Sequence, residues 1–334
     1  MLVRSTRPRF ILNAVMAAAV GSAAGWRDAA HPSGAALLAV LVTAGLIHAA
    51  TNSADDYFDF VRRWDRGAVP DEFSGGSGVL PDHEAAPRDV FGMALALYGL
   101  AVVLGGWLVL TRGWPVAALG SAALALSWAY AAGRRPLVSL GVGELALTCS
   151  WLLAALTGYF VQTGVLSFVP VVVALSVAWP TNLLANEIPD YPEDRPAGKA
   201  NLVVRLGPVA ATRLFAVLMV LQPLSLVAAV VGGAAPVWAL AGLLSLPWAL
   251  AAVRVVVGAP LDYAAQYPAR VGTAATRQLV AAALVTTLVA AAARTVAVST
   301  LGIAVFLLVW ARLAARVSAA ASSSATAGVG QAVL

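Results

Sequence analysis

The sequence predicts an all-α fold, a polytopic bundle of nine or ten transmembrane helices, and three observations lead to it. Of the 334 residues, 60% are hydrophobic and 11% are charged, whereas a soluble domain carries about 25% charged residues. The mean hydropathy is +0.84. The apolar residues are also gathered into runs near the length of about 20 residues that crosses a bilayer. Because lipid cannot satisfy bare backbone groups, these runs must be helices.

Ten apolar runs are the predicted spans, and they occupy 10–26, 34–54, 90–110, 115–132, 137–161, 168–184, 210–231, 237–257, 279–293 and 295–313. The last two are short and share a break at Arg294, so the count is nine or ten. Residues 1–316 form one transmembrane domain in this interpretation. The segment 317–334 is rich in Ala, Ser and Gly and has no charge, so we expect it to be disordered.

The basic residues predict the orientation of the bundle. Arg and Lys concentrate on the cytoplasmic side when loops are short, and 18 of the 21 fall on one side if the amino terminus is cytoplasmic. The net charge of +5 reflects this bias. No basic surface is interleaved with stacking aromatic residues, so we predict no nucleic-acid partner. Cys149 is the single cysteine and excludes a disulfide framework.

Two polar segments interrupt the apolar runs and share a local pattern. In both, an Asn is followed after three residues by Asp and Tyr, at Asn52, Asp56 and Tyr57 and at Asn186, Asp190 and Tyr191. Thirteen of the 16 acidic residues lie in the regions 55–89 and 187–194. Each segment begins where an apolar run meets water, and positive-inside orientation places both on the cytoplasmic side.

The acidic residues of each segment share one helical face. Asn52, Asp56 and Asp59 follow i, i+4, i+7 spacing beside Asp55, and Asn186, Asp190 and Asp194 follow the same rule. Converging carboxylates repel one another unless cations neutralise them, which suggests a Mg²⁺ site. A solvated acidic loop is the simpler alternative, but the repetition favours two helix ends meeting at one pocket. Mg²⁺ leaves coordination positions for phosphates, so the pattern suggests a diphosphate held by two ions.

Other polar residues have two interpretations each. Glu144 lies within a span and is either functional or a hydrogen-bonded structural carboxyl. Lys199 and Arg205, after the second acidic segment, either stabilise a departing diphosphate or are positive-inside anchors. Arg270 and Arg277 are expected to be anchors of that kind. The Gly- and Ser-rich loop 73–80 either offers backbone donors to an anion or is a flexible linker.

Together these residues resemble the UbiA superfamily of intramembrane prenyltransferases. The family's first and second aspartate motifs match Asp55, Asp56 and Asp59, then Asp190 and Asp194. The likeness is strongest to the menaquinone-pathway 1,4-dihydroxy-2-naphthoate prenyltransferase branch, through FSGGSGVL at 73–80, GVGE at 141–144, VQTG at 161–164 and TNLLANEIPDYPEDRPAGK at 181–199.

The chain also departs from the family pattern in three places. Asp55 replaces the family Asn, and Arg63 stands where a third acid is expected, with Asp65 the next acid. Pro192 lies inside the second motif, where it cannot donate a helical hydrogen bond.

The resemblance implies a central cavity and Mg²⁺-dependent transfer of a prenyl group from a polyprenyl diphosphate to an aromatic acceptor, 1,4-dihydroxy-2-naphthoate. It implies three sets of site residues. The Mg²⁺ ligands would be Asp55, Asp56, Asp59, Asp190 and Asp194, supported by Asn52 and Asn186. Diphosphate would contact Lys199, Arg205, Arg134 and Arg7, and Glu144 would orient or deprotonate the acceptor. Prenyl chain length and oligomeric state are left open.

Three alternatives accompany this interpretation. A terpene cyclase on the same scaffold would need no aromatic acceptor. A cation transporter would place its acids near the bilayer midplane, whereas these lie at span ends. A purely structural membrane protein gives no reason for the repeated acid spacing.

Overall fold

A computed structural model describes residues 2–64, 76–263, 265–293 and 296–331, and helices make up its regular structure throughout. The α-helices are α1 Leu2–Ser5, α2 Pro8–Asp28, α3 Gly34–Arg62, α4 Pro87–Arg112, α5 Trp114–Ala131, α6 Gly143–Thr163, α7 Val169–Ala178, α8 Thr181–Ala197, α9 Leu202–Leu206, α10 Pro208–Val231, α11 Leu246–Gly258, α12 Tyr267–Ala293 and α13 Val296–Gln331. Two 3₁₀ segments, Leu137–Leu140 and Val237–Ser245, precede α6 and α11.

Nine spans in the described residues are long and apolar enough to cross a membrane. In two of them a pair of elements forms one span: α7 with α8 over Val169–Ala197, and the second 3₁₀ segment with α11 over Val237–Gly258. Helix α5 has 18 residues, is not among the nine, and packs against α3 and α6 in the same bundle. The prediction of an all-α transmembrane bundle is confirmed.

Helix α2 is the centre of the packing and contacts α3, α6, α7 and α12. Its small residues allow a very close approach to α6. A Cβ atom built on Gly21 would lie 2.1 Å from the carbonyl oxygen of Ala155, and one on Gly158 would lie 2.4 Å from Ser22 Oγ. Such small-residue contacts are how helices associate in lipid, where apolar side chains gain little by leaving their surroundings.

Helix ends follow the local chemistry of Pro and Gly. Pro lies in the first turn of α2, α4, α5 and α10, where its missing N–H costs nothing. The predicted span 137–161 begins later than expected, since Gly141 takes φ +74° after the 3₁₀ segment and α6 starts only at Gly143. A left-handed glycine ends a helical segment in the same way elsewhere in proteins.

One expectation for the carboxyl-terminal third needs correction. Helix α12 begins at Tyr267 rather than 279, so Arg270 and Arg277 lie within it, 4% and 0% exposed, and their assignment as surface anchors is wrong. Helix α13 extends as far as Gln331, and the expected disorder of the segment from residue 317 stays a prediction. Arg294, the expected break, and residues 332–334 are outside the described residues.

The sixth predicted span is broken in its middle. Helix α7 ends at Ala178 and α8 begins at Thr181, with Trp179 and Pro180 between them. Carbonyl groups released at such a break need donors, because lipid supplies none. Arg277 of α12 provides them, since its guanidinium donates to the carbonyls of Val177 and Trp179.

Candidate functional site

A cavity of about 490 Å³ lies between α2, α3, α6 and α8. Both predicted polar segments contribute to its wall. The polar residues that line it include Arg4, Arg7, Asn52, Asp55, Asn186, Glu187, Asp190, Asp194 and Lys199. The structure therefore brings together residues separated by more than 130 positions in the sequence.

The aspartates of the first segment lie in the last turns of α3 and are almost completely buried. Asp55, Asp56 and Asp59 are 6%, 2% and 1% exposed. Arg7 forms an ion pair with Asp56, and its Nη2 lies 3.6 Å from Asp55 Oδ2. Arg7 and Asp55 line the cavity. Asp56 and Asp59 do not line it, but they form ion pairs with Arg7 and Lys199, which do.

Lys199, the only lysine of the chain, joins the two segments. Its Nζ donates to Asp59 Oδ2 at 2.7 Å. Gly198, at φ +81°, ends α8 and turns the chain so that Lys199 can reach back to α3. Burial lowers the pKa of Lys199, but the carboxylates of Asp59, Asp194 and Asp55 outweigh it and hold that pKa well above its ordinary value. Lys199 therefore carries a positive charge at neutral pH.

Helix α8 supplies the second segment and remains helical through Pro189, Pro192 and Pro196. Asp190 and Asp194 both line the cavity. Asp194 is 7% exposed and accepts a hydrogen bond from Asn201 Nδ2 at 2.7 Å. The two acids thus lie on one wall even though Pro192 separates them.

Several buried carboxylate oxygens have no hydrogen-bond partner among the residues that the structure describes. They are Asp55 Oδ1, Asp56 Oδ2, Asp59 Oδ1, Glu144 Oε1 and Glu187 Oε2. Buried acceptors are nearly always satisfied in proteins, so unsatisfied carboxylate oxygens beside a cavity suit a hard cation. Within the described ranges, no three Asp, Glu, His or Cys side chains are grouped to hold a metal ion.

Glu187 lines the cavity, although our sequence-based predictions assigned it no role. It is 8% exposed and interacts with the neighbouring carboxyl of Glu144. Glu144 is 5% exposed in the first turn of α6 and does not line the cavity. The i, i+3 spacing of Glu187 and Asp190 on one helical face was the signal that could have found it.

The remaining predicted residues have different positions. Asn52 lines the cavity and its Nδ2 donates to the carbonyl of Thr6 at 2.8 Å. Arg134 and Arg205 do not line it. Arg134 is exposed, and the guanidinium of Arg205 donates to the carbonyls of Ala200 and Ser139 at 2.8 and 3.1 Å. Asp65 and residues 73–75 are outside the described residues, whereas Gly76 and Ser77 of the same loop line the cavity.

These features define an integral, multi-pass membrane protein with a charged cavity between its helices. A family model gives the finer assignment, because the UbiA prenyltransferase family matches residues 14–262. The chain belongs to this family, as its aspartate motifs predicted, and it is a prenyltransferase.

Curated relatives agree with this assignment. The chain is 32% identical over 258 residues to a 1,4-dihydroxy-2-naphthoate octaprenyltransferase of Mycobacterium tuberculosis (strain ATCC 25618 / H37Rv), covering 76% of this chain and 85% of the relative. It is 29% identical over 220 residues to the enzyme of the same name from Bacillus subtilis (strain 168), covering 65% and 70%.

Solved structures share the fold. A UbiA homolog from Archaeoglobus fulgidus bound to GPP and Mg²⁺ superimposes with a TM-score of 0.56 at 15% identity, covering 92% of this chain and 98% of that one. A digeranylgeranylglyceryl phosphate synthase gives a TM-score of 0.57 at 15% identity, covering 86% and 98%.

Proposed function

We propose that the protein transfers a prenyl group from a polyprenyl diphosphate to 1,4-dihydroxy-2-naphthoate inside the membrane, with Mg²⁺ as cofactor. The observation that carries this proposal is the single cavity on which both acidic segments and the basic residues Arg7 and Lys199 converge. The printed names of the curated relatives support the acceptor. The Mg²⁺ and GPP bound to the Archaeoglobus homolog support the cofactor and the donor class.

The donor set fits Mg²⁺. Asp55, Asp56 and Asp59 each keep one carboxylate oxygen without a hydrogen-bond partner among the described residues and would hold the ion together with Asp190 and Asp194, while Asn52 and Asn186 would support them. The described side chains do not form a complete set of ligands by themselves, which agrees with the preference of Mg²⁺ for water and substrate phosphates in its remaining positions. When bound, Mg²⁺ neutralises negative charge on the diphosphate and so favours its departure.

The basic residues of the cavity bind the same diphosphate. Arg7 and Lys199 line the cavity, and both can donate charge-assisted hydrogen bonds to phosphate oxygens. Their charges stabilise the negative charge that develops when the allylic C–O bond breaks and its electron pair stays with the diphosphate. Arg134 and Arg205, which lie outside the lining, would reach the diphosphate only from the edge.

The rest of the wall positions the acceptor and excludes water. Phe10, Val138 and Leu147 are apolar lining residues and keep the allylic cation from being quenched. A ring carbon of the acceptor attacks this cation, and aromaticity returns when that carbon loses its proton or, in the naphthoate, its carboxylate as CO₂. Glu187 lines the cavity and would face the acceptor, so Glu144 would orient or deprotonate the acceptor through Glu187.

The cavity would open on the cytoplasmic side. This placement rests on the excess of Arg and Lys at one end of the spans. Cysteine-accessibility labelling of Asp89→Cys, in the first turn of α4, in a Cys149→Ala variant tests it, with labelling expected only from the cytoplasmic side.

The proposed reaction is tested with purified protein, Mg²⁺ and a radiolabelled polyprenyl diphosphate, with and without 1,4-dihydroxy-2-naphthoate. We expect a prenylated naphthoquinone precursor that is lost with EDTA and restored by added Mg²⁺. Asp56→Ala and Asp190→Ala should abolish turnover while the protein stays monodisperse in detergent. Asp89→Ala is the matched control, because Asp89 is exposed and does not line the cavity.

Two outcomes would contradict the proposal. Full activity in either aspartate variant would remove the site assignment. Release of diphosphate with a cyclised hydrocarbon product and no dependence on the acceptor would instead identify a terpene cyclase.

A further inference from the structure

The deep wall of the cavity is formed by Asn13, His48 and Trp151, which lie on α2, α3 and α6. Each is six or seven residues from a charged residue in or directly before the same helix, and these residues are Arg7, Asp55 and Glu144. At 1.5 Å rise per residue, this places the three side chains roughly 9–10 Å below the charged end of the cavity. The cavity therefore has a second polar level that the diphosphate chemistry does not use.

A buried cation lies behind this wall. Arg277 is 0% exposed, and its guanidinium carbon is 4.4 Å from the centroid of the Trp151 ring. Its Nη1 donates to Asn13 Oδ1 at 3.2 Å, and its other donors reach the carbonyls of Val177 and Trp179. All of these hydrogen bonds in the described structure end on neutral oxygens. The positive charge of Arg277 is thus solvated but not neutralised.

The residues of this wall carry hydrogen-bond donors that have no partner in the described ranges or can take a further one. Asn13 Oδ1 accepts from Arg277 and from Asn182 Nδ2, which fixes the orientation of the amide and leaves its N–H groups for another partner. Trp151 is 3% exposed, and its Nε1, which can only donate, is buried with no hydrogen-bond partner in the described ranges. His48, 8% exposed, stacks on the Trp151 ring with interplanar angle 1° and centroids 6.4 Å apart.

Hydrogen-bond donors that lack partners and lie next to a cation without a counter-ion, as here beside Arg277, favour the binding of an anion. We propose that Asn13, His48 and Trp151, backed by Arg277, form the subsite for the carboxylate of the aromatic acceptor, with Arg277 as a positioning residue. The identity of the acceptor rests on the proposed function. The carboxylate is chosen over the hydroxyl groups because it is fully ionised at neutral pH, whereas a phenolic hydroxyl is not. The depth of the subsite also separates this charge from the aspartates, which would repel it.

Equilibrium binding without prenyl diphosphate tests the subsite independently of turnover. The probes are 1-hydroxy-2-naphthoate and 1-naphthol, which differ only in the carboxylate, with the protein in detergent or nanodiscs. We expect the naphthoate to bind more tightly. Trp151→Phe should weaken naphthoate binding about tenfold, the value of a hydrogen bond to a charged group, and should change naphthol binding less than about twofold.

A second variant changes the charge while keeping the hydrogen bonds of Arg277. Asn13→Asp still accepts from Arg277 but neutralises it, so naphthoate affinity should fall by more than about tenfold and the preference over naphthol should disappear. Trp128→Phe is the matched control, because Trp128 packs near Phe58 and Tyr98 and does not line the cavity. Its binding of both probes should equal that of the wild type.

The proposal is overturned if Trp151→Phe weakens the binding of both probes equally, or if the Asn13→Asp variant still binds the naphthoate more tightly than naphthol. Selective naphthoate binding that depends on Trp151 in a protein without prenyl transfer would refute the proposed reaction but support the subsite. Prenyl transfer by a protein that binds the two probes equally well would support the proposed reaction but refute the subsite.

Discussion

Replacing Lys199 by Met should destabilise the protein, because it removes the cation that lies 2.7 Å from Asp59 Oδ2. Asp59 is 1% exposed and would be left as a buried carboxylate without its main partner. Breaking a buried ion pair by removing one partner costs about 3–5 kcal/mol. We expect a loss of free energy of unfolding within this range.

The geometry favours the lower end of the range. Arg62 Nη1 stays 3.6 Å from Asp59 Oδ1. At an effective dielectric constant near 20, the gross attraction at this distance is roughly 5 kcal/mol, against roughly 6 kcal/mol for Lys199. Arg62 therefore replaces part of the lost interaction, and the expected loss is about 3 kcal/mol.

The assay is equilibrium unfolding in mixed micelles of dodecyl maltoside and SDS, followed by far-UV circular dichroism. Adding Asp59→Asn to the Lys199→Met variant removes the unpaired charge and should recover about 2 kcal/mol, without recovering prenyl transfer. A Lys199→Met loss below about 1 kcal/mol, or a double variant no more stable than the single, would show that the pair is not the buried interaction we describe.

Two further predictions concern packing and protonation. Gly21→Ala should lower the free energy of unfolding by at least about 2 kcal/mol, since the added Cβ meets the backbone of Ala155 at 2.1 Å. A Cβ atom built on Gly99 has no atom within 4 Å, so Gly99→Ala should leave the free energy of unfolding unchanged or raise it. Equal losses of free energy of unfolding in both variants would contradict the packing argument. The pKa of Lys199 is higher in the folded protein than in the unfolded chain. The ion pairs of Lys199 therefore contribute their full stability at any pH below the unfolded pKa, and this stability is lost as the pH rises through the folded pKa. NMR of ε-carbon-labelled lysine, which reports this one side chain, should show no titration up to about pH 10.4, and a midpoint below that value would refute the arrangement.

The sequence predicted the helices and the meeting of the two acidic segments because both depend on local patterns. The bilayer makes an apolar run helical regardless of its detailed composition. The repeated Asn, Asp and Tyr spacing placed Asp56 and Asp190 at equivalent helix ends, and the cavity brings their helices together. That these particular side chains bind metal or diphosphate stays a prediction.

Residues that act through distant partners could not be predicted in this way. Arg277 has the sequence context of an anchor, but its hydrogen bonds reach Val177 and Trp179, about 100 residues away. Glu187 has its partner Glu144 on another helix. Asn13, His48 and Trp151 are single residues on three helices, so no local spacing marks them as one wall.

The interruption between α7 and α8 has a mechanical consequence. A broken membrane helix commonly serves as a joint about which one half can tilt, but here both open carbonyls are tied to the same guanidinium on α12. Tilting α8 would break these hydrogen bonds of Arg277, and lipid could not replace the lost acceptors. Arg277 thus stabilises the position of α8, the helix on which Glu187, Asp190 and Asp194 lie.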